Sequence, residues 1–248
     1  MTSFEQTLAT LDEEPEAVQA ERLVWDLPVR IFHWSLVAAF IAAFVTNKLG
    51  VRYFKYHVWA GYAVLVLASF RVFWGFVGTR HALFRNFLRG PRIVLAYARS
   101  LLTHQGPHYP GHNPLGALMV LALLAGAATQ AALGLFANDE IYNVGPLYGL
   151  VSKDFSLVLT SAHRRLFYLL AGAIALHVLA VVAHKIFKKE NLARAMITGR
   201  KAEHLVPARE AIGSSRLWLA APLVALLVVA LTWIIFNAPA ASADGGDF

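Results

Sequence analysis

The chain has 248 residues, of which 58% are hydrophobic and only 15% charged, and its mean hydropathy is +0.54. A soluble domain carries nearer a quarter charged residues, so a water-soluble globule is excluded. The absence of cysteine excludes disulfides, thiolate zinc sites, iron–sulfur clusters and thioether-attached groups, and the formal charge of +7 has a distribution that argues against a nucleic-acid partner.

Residues 1–25 are polar and acidic, with Glu13, Glu14 and Glu16 around Pro15 and no apolar run of signal-peptide type. They read as a cytoplasmic tail. Five apolar segments follow, at 29–47, 54–78, 114–136, 163–187 and 215–237, each near the ~20 residues that a bilayer requires. The short connection from Asn47 to Phe54 makes the first two an antiparallel hairpin. After the second comes a basic stretch, FLRGPRIVLAYARSLL, whose helical apolar spacing with Arg92 and Arg99 interleaved suits an amphipathic helix at the interface. The loop 137–162 is mildly acidic and rich in turn formers, 191–214 is a basic linker, and 238–248 is a small-residue tail. Trp25, Trp34, Trp59 and Trp74 lie near span ends and fit an aromatic belt.

With the N-terminus in the cytoplasm, 15 of the 22 Lys and Arg fall on the cytoplasmic side and 6 on the other, leaving Arg71 inside the second span. The positive-inside rule then places the C-terminus outside. The basic charge faces lipid headgroups, and a nucleic-acid partner is not expected.

Within this frame the histidines carry the chemistry, because a titratable ring in hydrocarbon is costly and points to function. His163 and His177 lie fourteen residues apart on one helix, which is roughly 21 Å along its axis and close to four whole turns. One helix thus presents two rings on one face at two depths. Chain direction sorts the four intramembrane histidines into an inner pair, His33 with His177, and an outer pair, His57 with His163. Two axial histidines are a standard way of holding non-covalent haem, and bundle interiors are where such cofactors sit. Hydrogen-bonded structural histidines and proton-relay transport are the competing readings. His184, seven residues past His177 and on the same face, is an alternative ligand at the headgroup level.

Several runs resemble the bacterial cytochrome b561 family, which includes the b-type cytochrome subunits of nickel–iron hydrogenases. They are WDLPVRIFHW at His33, FKYHVWAGY at His57, FRVFWGFVGTRHA after it, PGHNPLGALMV, SAHRRLFYLLAGAIALHVLAVVAHK and ENLARAMITGRK. The resemblance covers residues 24 to 201. It implies an all-α membrane protein, a four-helix transmembrane bundle over 26–190 that binds two haems b, ligated by His33, His57, His163 and His177. It further implies exchange of electrons with quinone near the cytoplasmic haem, where His112 and Asn113 would hydrogen-bond a quinone carbonyl. The HNPLG run also suits the start of a helix, with Asn113 capping and Pro114 in the first turn.

The fifth span lies outside the resemblance and would either clamp a partner subunit or fill a homodimer interface. Arg71 would pair with a haem propionate or snorkel to the inner interface. Arg30, Arg164 and Arg165 read as interfacial. His104, His108 and His112 have helical metal-site spacing, but Gly106, Pro107, Pro110 and Gly111 break any helix there. The expected function is electron transfer between the quinone pool and a periplasmic redox partner, such as a hydrogenase, another oxidoreductase or a cytochrome c. The alternatives are a stand-alone quinol oxidase using oxygen or superoxide and a haem-free transporter or structural membrane protein.

Overall fold

The computed structural model describes residues 20–102 and 106–239. In chain order these form β1 (Glu21–Leu23), α1 (Leu27–Lys48), α2 (Phe54–Val77), α3 (Phe84–Phe87) and α4 (Pro91–Leu102). Then come α5 (Pro114–Gly134), α6 (Lys153–Phe187), α7 (Leu192–Thr198), β2 (Arg200–Ala202) and α8 (Leu217–Phe236). Five helices are long and apolar enough to cross a membrane: α1, α2, α5, α6 and α8. The protein is therefore a predominantly helical, multi-pass membrane protein.

The segment bounds match expectation closely except at the fourth span, where α6 begins at Lys153 rather than near 163. Ser152 caps it, its hydroxyl accepting from the Phe155 N–H at 3.3 Å. Ser156 donates to the Phe136 carbonyl at 2.6 Å, and the Thr160 hydroxyl accepts from the Asn138 N–H at 2.9 Å. These polar residues bury against the 136–138 loop, so hydropathy alone begins the span too late. At 35 residues the helix is about 52 Å long, well beyond the ~30 Å hydrocarbon core.

The basic end of the bundle, where α1, α5 and α8 begin, is organised by one carboxylate. Asp26 is 1% exposed. Its Oδ1 accepts from the Val29 N–H at 2.7 Å and caps α1, while Oδ2 accepts from Trp74 Nε1 at 3.1 Å and from the Thr79 hydroxyl. The start of α1 is thereby tied to the end of α2. Arg216 adds a second tie, donating to the Val77 and Gly78 carbonyls at 3.2 and 3.0 Å where α2 ends. Trp74 and Trp25 are consequently core residues, at 0% and 6% exposure, whereas Trp34 and Trp59 stay exposed as a belt requires.

The expected basic linker is a folded cap. β1 and β2 pair antiparallel, with Glu21 opposite Ala202 and Leu23 opposite Arg200. A two-stranded ribbon is marginal alone, but this one rests on Val24 and Val206, both fully buried. Gly199, with φ +82°, turns the chain out of α7, and a Cβ there would lie 2.7 Å from the Trp25 carbonyl oxygen. Only Ala20 to Trp25 of the expected N-terminal tail, and Ala238 and Pro239 of the C-terminal one, lie among the described residues. The amphipathic helix appears as α4. The fifth span, α8, packs on α2 and α1 through Leu219, Ala220, Leu223 and Leu227, and leaves Trp218, Leu226, Trp233 and Phe236 exposed.

Two predictions follow from this cap. Asp26→Ala removes a helix cap, worth about 1 kcal/mol, and strands two buried donors at about 1–3 kcal/mol each. Thermal unfolding of the detergent-solubilised variant should show a melting temperature lower by about 6–20 °C. The second concerns Glu190 and Lys201, which pair at 2.5 Å with side chains 8% and 4% exposed. Burial acts to raise the Glu190 value, but the charge and hydrogen bond of Lys201, with His108, outweigh it and hold the carboxyl below its ordinary 4.5. Its contribution is therefore complete above pH 4.5 and is lost as pH falls through the lowered value. Melting temperature should fall with acidification below pH 4.5 in the wild type and fall less in Glu190→Gln/Lys201→Met, whereas Lys201→Met alone should cost roughly 3–5 kcal/mol.

Candidate functional site

α6 packs along α5 and makes much less backbone contact with α1 and α2. Among its side chains only Ser156, Thr160 and Leu170 are buried. All four intramembrane histidines are half-buried and face this interval from both walls, His33 and His57 from α1 and α2, His163 and His177 from α6. A Cβ at Gly61, one turn along α2 from His57 on the same face, would meet nothing within 4 Å. There is room beside the ring.

The outer pair is fully oriented. His57 Nδ1 donates to the Ala43 carbonyl at 2.8 Å, and His163 Nδ1 donates to the Gln130 carbonyl at 2.9 Å. Each bond fixes the tautomer and leaves Nε2 as the free nitrogen, the arrangement that metal-ligating histidines show. Gly134 keeps the space tight, since a Cβ there would lie 3.3 Å from His163 Cε1. The two ring centres are 6.1 Å apart with planes at 85°. A metal–imidazole bond is about 2.1 Å, so two in line separate ring centres by roughly 6 Å. The pair fits an intervening iron.

The inner pair is less constrained by the protein. His33 and His177 are electrostatic neighbours, and His33 Nδ1 is buried with no hydrogen-bond partner. Beside them Arg71 is 3% exposed, so it does not snorkel to the interface. Its guanidinium lies 5.2 and 5.9 Å from the Phe84 and Phe87 ring centres, and both terminal nitrogens are buried without a hydrogen-bond partner. A buried cation with open donors calls for an anionic ligand, and the geometry suits a propionate.

His112 also belongs to this level. Its ring centre is 4.7 Å from those of both Trp25 and Phe87. Burial, then Arg71, Lys201, His81 and His177, push it down to about 3, so it is neutral at physiological pH, and its Nδ1 is buried and unpartnered. Asn113 is committed elsewhere: its Oδ1 accepts from the Gly116 N–H at 2.8 Å, capping α5, and its amide lies 3.1 Å from His184 Nε2. His184 Nδ1 donates to the Ala180 carbonyl at 3.0 Å, so both of its nitrogens are engaged. Arg30 donates to the Ile197 carbonyl. His104 lies outside the described residues, His108 pairs with Glu190 at 3.4 Å, and no cluster of three or more metal-ligating side chains occurs among the described residues.

One feature was not anticipated from sequence. Phe167 stacks on Phe44 at 5.4 Å and 3° and lies 6.1 Å from Phe40 at 12°. This stack bridges α1 and α6 between the two histidine levels. The signal was present, because Phe167 lies four residues past His163 and Phe40 seven past His33, on the same helix faces.

Comparison with known proteins identifies the family. No solved structure matches the chain. The chain is 27% identical over 236 residues to the probable Ni/Fe-hydrogenase B-type cytochrome subunit of Azotobacter vinelandii, covering 79% of this chain and 95% of that one. It is 26% identical over 239 residues to the protein of the same name from Rhodobacter capsulatus, covering 80% and 90%. The family description of prokaryotic cytochrome b561 matches residues 24–199, a stretch that contains the α6-to-α1/α2 interval and its four histidines. The chain belongs to the prokaryotic cytochrome b561 family.

Proposed function

We propose that this b-type cytochrome holds two haems b, one between His57 and His163 and one between His33 and His177, and carries electrons across the bacterial inner membrane. The observation that supports it most is the outer pair, with both Nδ1 groups tied to carbonyls and ring centres 6.1 Å apart. Haem iron supplies one-electron redox chemistry without a proton in the coordination step. The protein's own residues do the rest. Ala43 and Gln130 carbonyls set the tautomers of the outer histidines, and Arg71 offers its open donors to a carboxylate at the inner level. The Phe40–Phe167–Phe44 stack fills the space between the levels and keeps it dry.

The excess of Lys and Arg at the end where α1 begins supports a cytoplasmic position for that end. The inner pair then serves the quinone pool at the loop leading into α5, and the outer pair serves a periplasmic redox protein. Relatives named as probable Ni/Fe-hydrogenase subunits make a hydrogenase the favoured partner. The exposed face of α8 suits either that partner's membrane anchor or a second copy of the chain.

Haem content decides the assignment. His57→Ala and His163→Ala should each lose the same one of two haems, His33→Ala and His177→Ala the other, and His184→Ala neither. A pyridine haemochrome assay on purified protein measures this, and unchanged stoichiometry in His57→Ala and His163→Ala would reject the ligand set. Quinol oxidation by the purified chain with oxygen and no partner would favour the stand-alone oxidase instead.

A further inference from the structure

His112 is a buried ring at the basic end whose chemistry the preceding account leaves idle, and its Nδ1 has no hydrogen-bond partner. It is held between Trp25 and Phe87, both 4.7 Å away with planes tilted at 59° and 49°. Arg71 sits over the same Phe87 ring at 5.9 Å. The guanidinium and the imidazole are thus neighbours on one aromatic floor, next to His177. Three of their nitrogens, Arg71 Nη1 and Nη2 and His112 Nδ1, are buried with nothing to bond to. The nearest carboxylate, Asp26, is already filled by the Val29 N–H, the Trp74 indole and the Thr79 hydroxyl.

Buried donors left open cost about 1–3 kcal/mol each, and an uncompensated buried cation costs more. What completes such a set carries negative charge and several acceptor oxygens. A quinone carbonyl is neutral and has one. Asn113, the other candidate donor to a quinone, is held in place by its cap, with Oδ1 accepting from the Gly116 N–H and Nδ2 lying 3.1 Å from His184 Nε2. We propose that His112 is a cofactor-binding residue, donating a hydrogen bond to a carboxylate of the inner haem alongside Arg71. This inference rests on the two-haem reading and moves His112 from the quinone to the haem.

Replacing the donor leaves the carboxylate charge less compensated, which favours the oxidised iron. Two variants separate donation from packing. His112→Phe keeps an aromatic ring between Trp25 and Phe87 but removes the donor, and His112→Gln keeps an N–H donor without the ring. Haem content is measured first, followed by redox titration resolved for the two haems. In His112→Phe the protein should retain two haems, with the reduced-to-oxidised ratio of the inner haem lowered about tenfold at a fixed potential, about 59 mV for a one-electron couple. The outer haem should be unmoved, and His112→Gln should lie close to wild type. Loss of the inner haem in His112→Phe but not in His112→Gln also supports donation. An unchanged inner potential in His112→Phe, with a raised quinol KM, returns His112 to the quinone and overturns the proposal. Loss of the inner haem in both variants assigns His112 to packing and overturns it as well. Wild-type protein with a single haem, or His33→Ala that keeps two, rejects the two-haem reading itself.

Discussion

The buried carboxylate of Asp26 is the fixed point from which the rest of the molecule is measured. It stops α1 at one end and α2 at the other within a single set of three hydrogen bonds. His33 lies seven residues beyond it on α1, and Arg71 lies three residues before Trp74 on α2. The levels of the inner ligand and the inner cation are therefore set by the same group. A helix cap is normally a local device. Here it sets the vertical register of two membrane helices.

Against that register stands α6, which is held from behind by α5 and by the loop at 136–138 rather than by α1 and α2. Hydrocarbon supplies no driving force to close a gap between helices, since lipid tails are as apolar as leucine. The interval is kept open by anchoring at the far wall and is bridged by rings at matched depths. The two levels differ in kind. The outer histidines are oriented by backbone carbonyls, whereas the inner level is a group of open nitrogens awaiting acceptors.

Much of this was legible in the sequence, and the limits have physical causes. Hydropathy located five spans, and the four-turn interval between His163 and His177 placed two levels on one helix. The start of α6 was missed because its first turns bury Ser156 and Thr160 against a loop, which hydropathy counts as polar and exposed. Trp25 and Trp74 were read as belt residues because a tryptophan near a span end looks the same whether it faces lipid or Asp26. The cap over 188–214 was read as a linker because the partner of β2 lies some 180 residues away, beyond any local periodicity. Arg71 could be narrowed only by its surroundings, since the same residue at the same depth would snorkel if an exit were open.

The pairing of residues 21–23 with 200–202 bears on how the chain is made. The first strand emerges early and has no partner until four membrane segments have followed it. The second strand reaches it only if those four segments cross an even number of times, so that both strands lie on one side of the bilayer. A chain with one helix left uninserted would separate Glu21 from Ala202 by the thickness of the membrane. Closure of this small ribbon therefore acts as a parity check on biogenesis, made once and late.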